Sequence, residues 1–211
     1  MFGVSRKVAQ GAMKTIKSSP VASDRIILGI DPGTTVMGYG VLHVEGGRLR
    51  LAEAGAVRFT TTDDHTSKLK AIFDSTAEII GRCNPLELAI EAQFFGKNVQ
   101  SMLKLGRAQG VAIAAALQGG LSVVEYAPMR VKQSITGSGS ASKQQVAAML
   151  SSILGVQDLP SSTDATDAVA VAVCHYFAAG AVPRPSTRAA AKGTSDWGSF
   201  IRNNPDRVKG S

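Results

Sequence analysis

Four acidic side chains, Asp31, Glu91, Asp164 and Asp167, stand where they could do chemistry. Asp31 closes the apolar run Ile26-Ile27-Leu28-Gly29-Ile30, Glu91 closes Leu88-Ala89-Ile90, and the last two open Asp164-Ala165-Thr166-Asp167-Ala168-Val169-Ala170-Val171. Runs of that kind are buried, so acids at their ends lie on the rim of a core. If those ends converge, four carboxylates share one pocket, and like charges that close repel strongly unless divalent cations sit among them. Two divalent ions roughly 4 Å apart can activate a water, neutralise a phosphodiester and stabilise the departing oxygen, which is the chemistry of a metal-dependent nuclease. Each acid also has a plainer role. An aspartate in a first helical turn satisfies free N–H groups, and Asp31 before Pro32-Gly33 can simply end a strand in a turn. Singly the plainer role is the stronger; four acids at compatible positions reverse that balance.

The elements that must position these acids read as a mixed α/β domain. Residues 26–31 form a buried strand, and Val36 to Val44 and Leu49 to Phe59 flank Gly46-Gly47 as a β-hairpin, so the first three strands are antiparallel neighbours. Asp64 to Arg82 has apolar residues near helical spacing and stops at Asn84-Pro85. Leu86 to Ile90 is a fourth strand, Asn98 to Gln118 a long helix ended by Gly119-Gly120, and Leu121 to Tyr126 a fifth strand. Two more helices are expected at Ser142 to Leu154 and Thr163 to Ala179. In this order the acids fall at strand ends and a helix start, where open α/β sheets build their sites. Asp164 and Asp167, three apart, share one helix face.

Composition narrows the classes. At 211 residues and 44% hydrophobic, the chain can bury one substantial core. The longest uncharged apolar stretch, Gly110 to Leu117, is too short to cross a bilayer, so no membrane association is expected. Cys83 and Cys174 stand far apart without CxxC pairing, which argues against a zinc site or disulfide scaffold and suits a reducing, cytoplasmic setting. His43, His65 and His175 show no metal-ligand spacing and read as surface or core histidines.

The net charge of +7 comes from the ends of the chain. Residues 1–24 carry Arg6, Lys7, Lys14 and Lys17 against Asp24; residues 181–211 carry six basic side chains against Asp196 and Asp206. Residues 25–180 are therefore neutral, and both tails have the composition of disordered extensions. Within the neutral region, Ala92 to Gln157 holds Lys97, Lys104, Arg107, Arg130, Lys132 and Lys143 against Glu125 alone. A basic surface beside an acidic pocket is what a polyphosphate substrate needs, although a solvated basic face has the same composition.

Beyond these local readings, the chain from about Arg25 to Ala178 resembles the bacterial Holliday-junction resolvases of the RuvC family, in the ribonuclease H-like superfamily. The resemblance runs through Gly29-Ile30-Asp31-Pro32-Gly33, Gly38-Tyr39-Gly40, Ala89-Ile90-Glu91, Lys104-Leu105-Gly106-Arg107-Ala108-Gln109-Gly110, Glu125-Tyr126-Ala127-Pro128, Val131-Lys132-Gln133 and Asp164-Ala165-Thr166-Asp167-Ala168. It implies a ribonuclease H-like fold with a five-stranded mixed sheet flanked by helices over residues 25–180. It also implies that Asp31, Glu91, Asp164 and Asp167 are the catalytic, metal-binding acids, with two Mg²⁺ ions per site and Mn²⁺ as a substitute. The implied function is paired, symmetric nicking of four-way DNA junctions in recombination and repair, leaving 5′-phosphate and 3′-hydroxyl ends. A homodimer would supply the two cuts, the Asn98 to Gln118 helix would contribute to its interface, and the RuvA–RuvB branch-migration complex would be the partner. Phe94, Lys97, Lys104, Arg107, Lys132 and Lys143 would contact DNA, Phe94 by stacking on an unpaired base.

Three other readings compete. Gly29-Ile30-Asp31-Pro32-Gly33-Thr34-Thr35 also looks like the first phosphate loop of actin-like ATPases, but those need two lobes and this chain has room for one. A non-catalytic junction-binding module would gain nothing from clustered acids that repel DNA. A nuclease of the same fold acting on other branched or RNA substrates is the nearest alternative.

Overall fold

The computed structural model describes residues 25–60, 64–92 and 98–180. The expected disorder of 1–24 and 181–211 concerns segments outside the described residues. Among the described residues ten elements follow in order: β1 (Arg25–Asp31), β2 (Val36–Glu45), β3 (Arg48–Arg58), α1 (His65–Cys83), β4 (Glu87–Glu91), α2 (Val99–Gln118), β5 (Ser122–Tyr126), α3 (Pro128–Thr136), α4 (Lys143–Leu154) and α5 (Thr163–Gly180).

The strands make one five-stranded sheet in the order β3-β2-β1-β4-β5. β1, β2 and β3 are antiparallel neighbours, whereas β1 with β4 and β4 with β5 run parallel, so the sheet is mixed. The Gly46-Gly47 turn has φ of 55° and 79°, the left-handed conformation that a tight hairpin demands. α1 starts where Asp64 accepts a hydrogen bond from Ser67 N at 2.9 Å and stops at Asn84, in the left-handed region just before Pro85.

Strand side chains alternate, and each face of the sheet builds its own core. Leu28, Ile30, Leu88 and Ile90 pack with α1 and α2, while Ile27, Leu42, Ala89 and the whole middle of α5 pack with α3 and α4. The middle of α5 is buried on all sides, with Ala165 and the run Ala168 to Cys174 almost fully inaccessible. A helix apolar all round belongs inside a molecule, and here it lies between the sheet and the α3–α4 layer.

α3 is the element that the sequence does not announce. Only Val131 and Ile135, one turn apart, are buried, so nine residues hold too little apolar periodicity to reveal a helix. Pro128 at its first turn and Gly137 at φ 79° bound it.

Glu87, Ala89 and Glu91 share the α5 face of β4, which puts one acid at each end of that face. At the Glu87 end, His175 is a buried core histidine: its Nδ1 lies 2.8 Å from Tyr126 Oη, and its Nε2 meets Glu87. Arg25 completes the chain by donating to Glu87 at 3.2 Å. His175→Ala would leave Tyr126 and Glu87 without their shared partner and open a cavity. A loss of about 2–4 kcal/mol in denaturant unfolding is expected. A loss below about 0.5 kcal/mol would show the network to be dispensable.

Candidate active site

The opposite end of that face holds the acids. Asp31 is the last residue of β1 and Glu91 the last of β4, and the parallel register pairing Ile30 with Ile90 sets these two strand ends side by side. α5 supplies the others from its first two turns, because it begins over this end of the sheet.

What brings α5 down so far is the absence of side chains beneath it. Gly29, Gly38 and Gly40 lie on the same face, and Gly29 pairs with Gly40 while Asp31 pairs with Gly38. A Cβ on Gly38 would lie 1.9 Å from the Asp164 carbonyl oxygen, one on Gly29 would lie 2.1 Å from the Ala168 oxygen, and one on Gly40 would meet Val169 Cγ2 at 2.6 Å. Glycine inside a strand commonly marks such a close backbone approach.

Asp31, Glu91 and Asp167 line a cavity of about 330 Å³ together with Lys132, Lys143 and the apolar walls Val131, Val146 and Ala170. Asp164 stands just behind, accepting a hydrogen bond from Ser162 Oγ at 3.2 Å, and adds its charge to the field at Asp31. A larger hollow of about 590 Å³ between α3 and α4, lined by residues such as Ser138, Ser140, Gln145 and Met149, contains no ionisable side chain. Size alone would select the wrong place.

Burial, followed by the charges of Glu91, Asp167 and Asp164, pushes the Asp31 carboxyl from 3.8 up to about 7, against the opposing pull of Lys143. Burial and then Asp167 raise Glu91, while Lys143 and Lys132 oppose them. Lys143 Nζ donates to Asp167 Oδ2 at 2.6 Å, and this bond raises the lysine's own pKa. Negative charge in the pocket is thus under-compensated.

The donor set fits a hard divalent ion, because it is made of carboxylate oxygens and contains no sulfur or imidazole. Among the described residues, no three acidic, histidine or cysteine side chains are already drawn into a compact ion cluster. Asp31, Glu91 and Asp167 line the cavity, and Lys143 lines it with them.

The structure therefore brings together Asp31, Glu91, Asp164, Asp167, Lys132 and Lys143. Lys104 and Arg107 are exposed on α2 and do not line the cavity. Phe94 and Lys97 lie outside the described residues. The sequence missed the contact between Lys143 and Asp167, 24 positions apart, for which no local signal exists. It also missed the packing role of the glycines, although Gly38-Tyr39-Gly40 was a visible sign of it.

Comparison with known proteins agrees with this geometry. The family described as crossover junction endodeoxyribonuclease RuvC matches residues 27–175. A crossover junction endodeoxyribonuclease RuvC of Cytophaga hutchinsonii is 54% identical over 193 residues, 92% of this chain and 92% of that protein. Its counterpart in Porphyromonas gingivalis is 52% identical over 88% of this chain and 98% of its own length. Among solved structures, Thermus thermophilus RuvC in complex with a Holliday junction substrate is similar with a TM-score of 0.67 and 33% identity, covering 74% of this chain and 95% of that one. The yeast mitochondrial Holliday junction resolvase Ydc2, at 12% identity and a TM-score of 0.57, shares the fold.

Proposed function

The chain belongs to the RuvC family of crossover junction endodeoxyribonucleases, and on that premise we propose that it resolves four-way DNA junctions by hydrolysing phosphodiester bonds at the cavity between β1, β4 and α5. The observation that carries this reading is that Asp31, Glu91 and Asp167 line one pocket with two lysines, close enough to Asp164 for its charge to act on Asp31.

Two Mg²⁺ ions, or Mn²⁺ in their place, would supply the Lewis acidity that hydrolysis of a phosphodiester requires. Asp31, Glu91, Asp164 and Asp167 are the residues that would hold them, with Asp31 at the centre of the field. The chain's remaining groups position the substrate. Lys132 and Lys143 reach the cavity rim and can hold backbone phosphate oxygens, which fixes the scissile bond over the acids without reading sequence. The apolar walls Val131, Val146 and Ala170 limit water around the reacting phosphate and strengthen each charge interaction there.

Symmetric nicking of a two-fold junction calls for two sites related by a two-fold axis, which a homodimer provides. Val99 and Leu103, one turn apart on α2, are 66% and 52% exposed and are suited to such a contact. Lys104 and Arg107 on the same helix would then touch DNA arms away from the cut. The RuvA–RuvB complex is the partner implied by family membership. Phe94 would stack on an unpaired base, a contact worth about 1–3 kcal/mol. Its mark would be that Phe94→Ala slows cleavage of intact junctions more than it weakens binding; equal losses would count against it.

The direct test is strand cleavage of a mobile synthetic four-way junction beside linear duplex and RNA–DNA hybrid, with Mg²⁺ or chelator. Paired symmetric nicks on the junction alone, lost in chelator, are expected. Preferential cutting of the hybrid would move the function to another nuclease of this fold, and tight binding without cutting would leave a binding module.

A further inference from the structure

Lys143 lines the acidic cavity. Its ammonium sits on an acid of the quartet, with Nζ 2.6 Å from Asp167 Oδ2. Its backbone is fixed as the first residue of α4, where Ser142 and Gln145 form a reciprocal cap, yet its side chain is 64% exposed. Lys143 and Asp167 both line the acidic cavity of about 330 Å³ and also an adjoining hollow of about 190 Å³ bounded by Pro160, Ser161, Thr163 and Thr166. The ion pair is thus the partition between two spaces, and the lysine can turn away from the acids without disturbing the fold.

We propose that Lys143 is a built-in counter-cation, covering Asp167 while the protein is free of DNA and releasing it to a divalent ion when a DNA phosphate draws the ammonium away. The inference rests on the reading of the quartet as a cation site and adds to it a coupling between substrate and metal. A divalent ion bound to Asp167 at roughly 2.1 Å would lie within a few ångströms of an ammonium held on the same carboxylate, and the two cations repel. One of them must leave. An ion pair as exposed as this one is weak, so it biases the competition without closing the site. A phosphate offers the ammonium an equivalent partner at no cost in charge, and by reciprocity whatever DNA does for cation affinity the cation does for DNA affinity.

The test is Mn²⁺ binding to the full-length protein, followed by the spin-resonance signal of free Mn²⁺, for wild type, Lys143→Met and Lys143→Arg. Without DNA, Lys143→Met is expected to bind Mn²⁺ about fivefold more tightly than wild type, with Lys143→Arg close to wild type. With a non-hydrolysable phosphorothioate junction present, and binding to DNA alone subtracted, wild-type affinity should rise and most of that rise should vanish in Lys143→Met. Equal Mn²⁺ affinity in all three proteins without DNA would overturn the counter-cation role while leaving the cation site intact. No Mn²⁺ binding by any of them would overturn the site and the inference together.

Discussion

Asp31→Asn is expected to reduce junction cleavage by about a thousandfold or more while leaving junction binding in place and making the metal-free protein more stable at pH 8. The two effects have one cause. Asp31 is half-buried among three other carboxylates, and its carboxyl is pushed from 3.8 up to about 7. Between those two pH values the folded chain holds this proton and the unfolded chain does not, so stability falls as pH rises through the window and is lowest above about 7. The full shift corresponds to a ceiling of roughly 4 kcal/mol, reduced by whatever relaxation brings water to the carboxylate. Asparagine keeps the shape and carries no charge, so the variant loses this pH dependence. A divalent ion relieves the same repulsion in the wild type and should raise its melting temperature at pH 8 more than that of Asp31→Asn. Melting curves from pH 5 to 9 in chelator, repeated with Mg²⁺, read all of this. A variant no more stable than wild type at pH 8, or one that still cuts in Mg²⁺, would remove Asp31 from the centre of the site.

That coupling of stability to chemistry also explains which features could be read before folding. β1, β2 and β3 and their hairpin carry their own signals, since Gly46-Gly47 punctuates two apolar runs and Asp64 and Asn84-Pro85 punctuate α1. The observed bounds of these elements lie within a residue or so of the expected ones. The five-stranded mixed sheet follows from that element order and from the family resemblance. α3 was invisible because two buried residues do not make a period. The acids were visible as a set because each ends or begins an apolar run, and strand and helix ends are where an α/β sheet opens. Nothing local could show that Lys143 reaches Asp167 or that His175 reaches Glu87, contacts spanning 24 and 88 positions. Lys104 and Arg107 entered the same basic stretch as Lys132 and Lys143, but charge counted along a chain cannot say which face of a helix looks into a cavity.

Gly38→Ala is expected to damage both fold and site, although it adds one methyl group. The new Cβ would lie 1.9 Å from Asp164 O, 2.3 Å from Asp164 C and 2.9 Å from Ala165 N, all of them backbone atoms. No rotamer change can relieve such a contact, so the first turn of α5 must lift from the sheet by about 1 Å or more. That turn carries Asp164, and Asp167 lies one turn further on. The helix behind it is packed on every side, so the shift propagates into the Ile27, Ala89 and Val169 core instead of being absorbed. A cost of about 3 kcal/mol or more in unfolding free energy is expected. Cleavage measured well below the lowered melting temperature should fall about a hundredfold, since a displacement of that size spoils alignment at a reacting centre. Gly81→Ala is the matched control: it lies in α1 with nothing within 4 Å of the added carbon, and an exposed helical site should gain up to about 1 kcal/mol from alanine. If Gly38→Ala unfolds and cuts like wild type, the close approach of α5 to β2 does not set the position of the acids. If it destabilises the fold while cleavage of the surviving folded protein stays normal, the glycine serves packing alone.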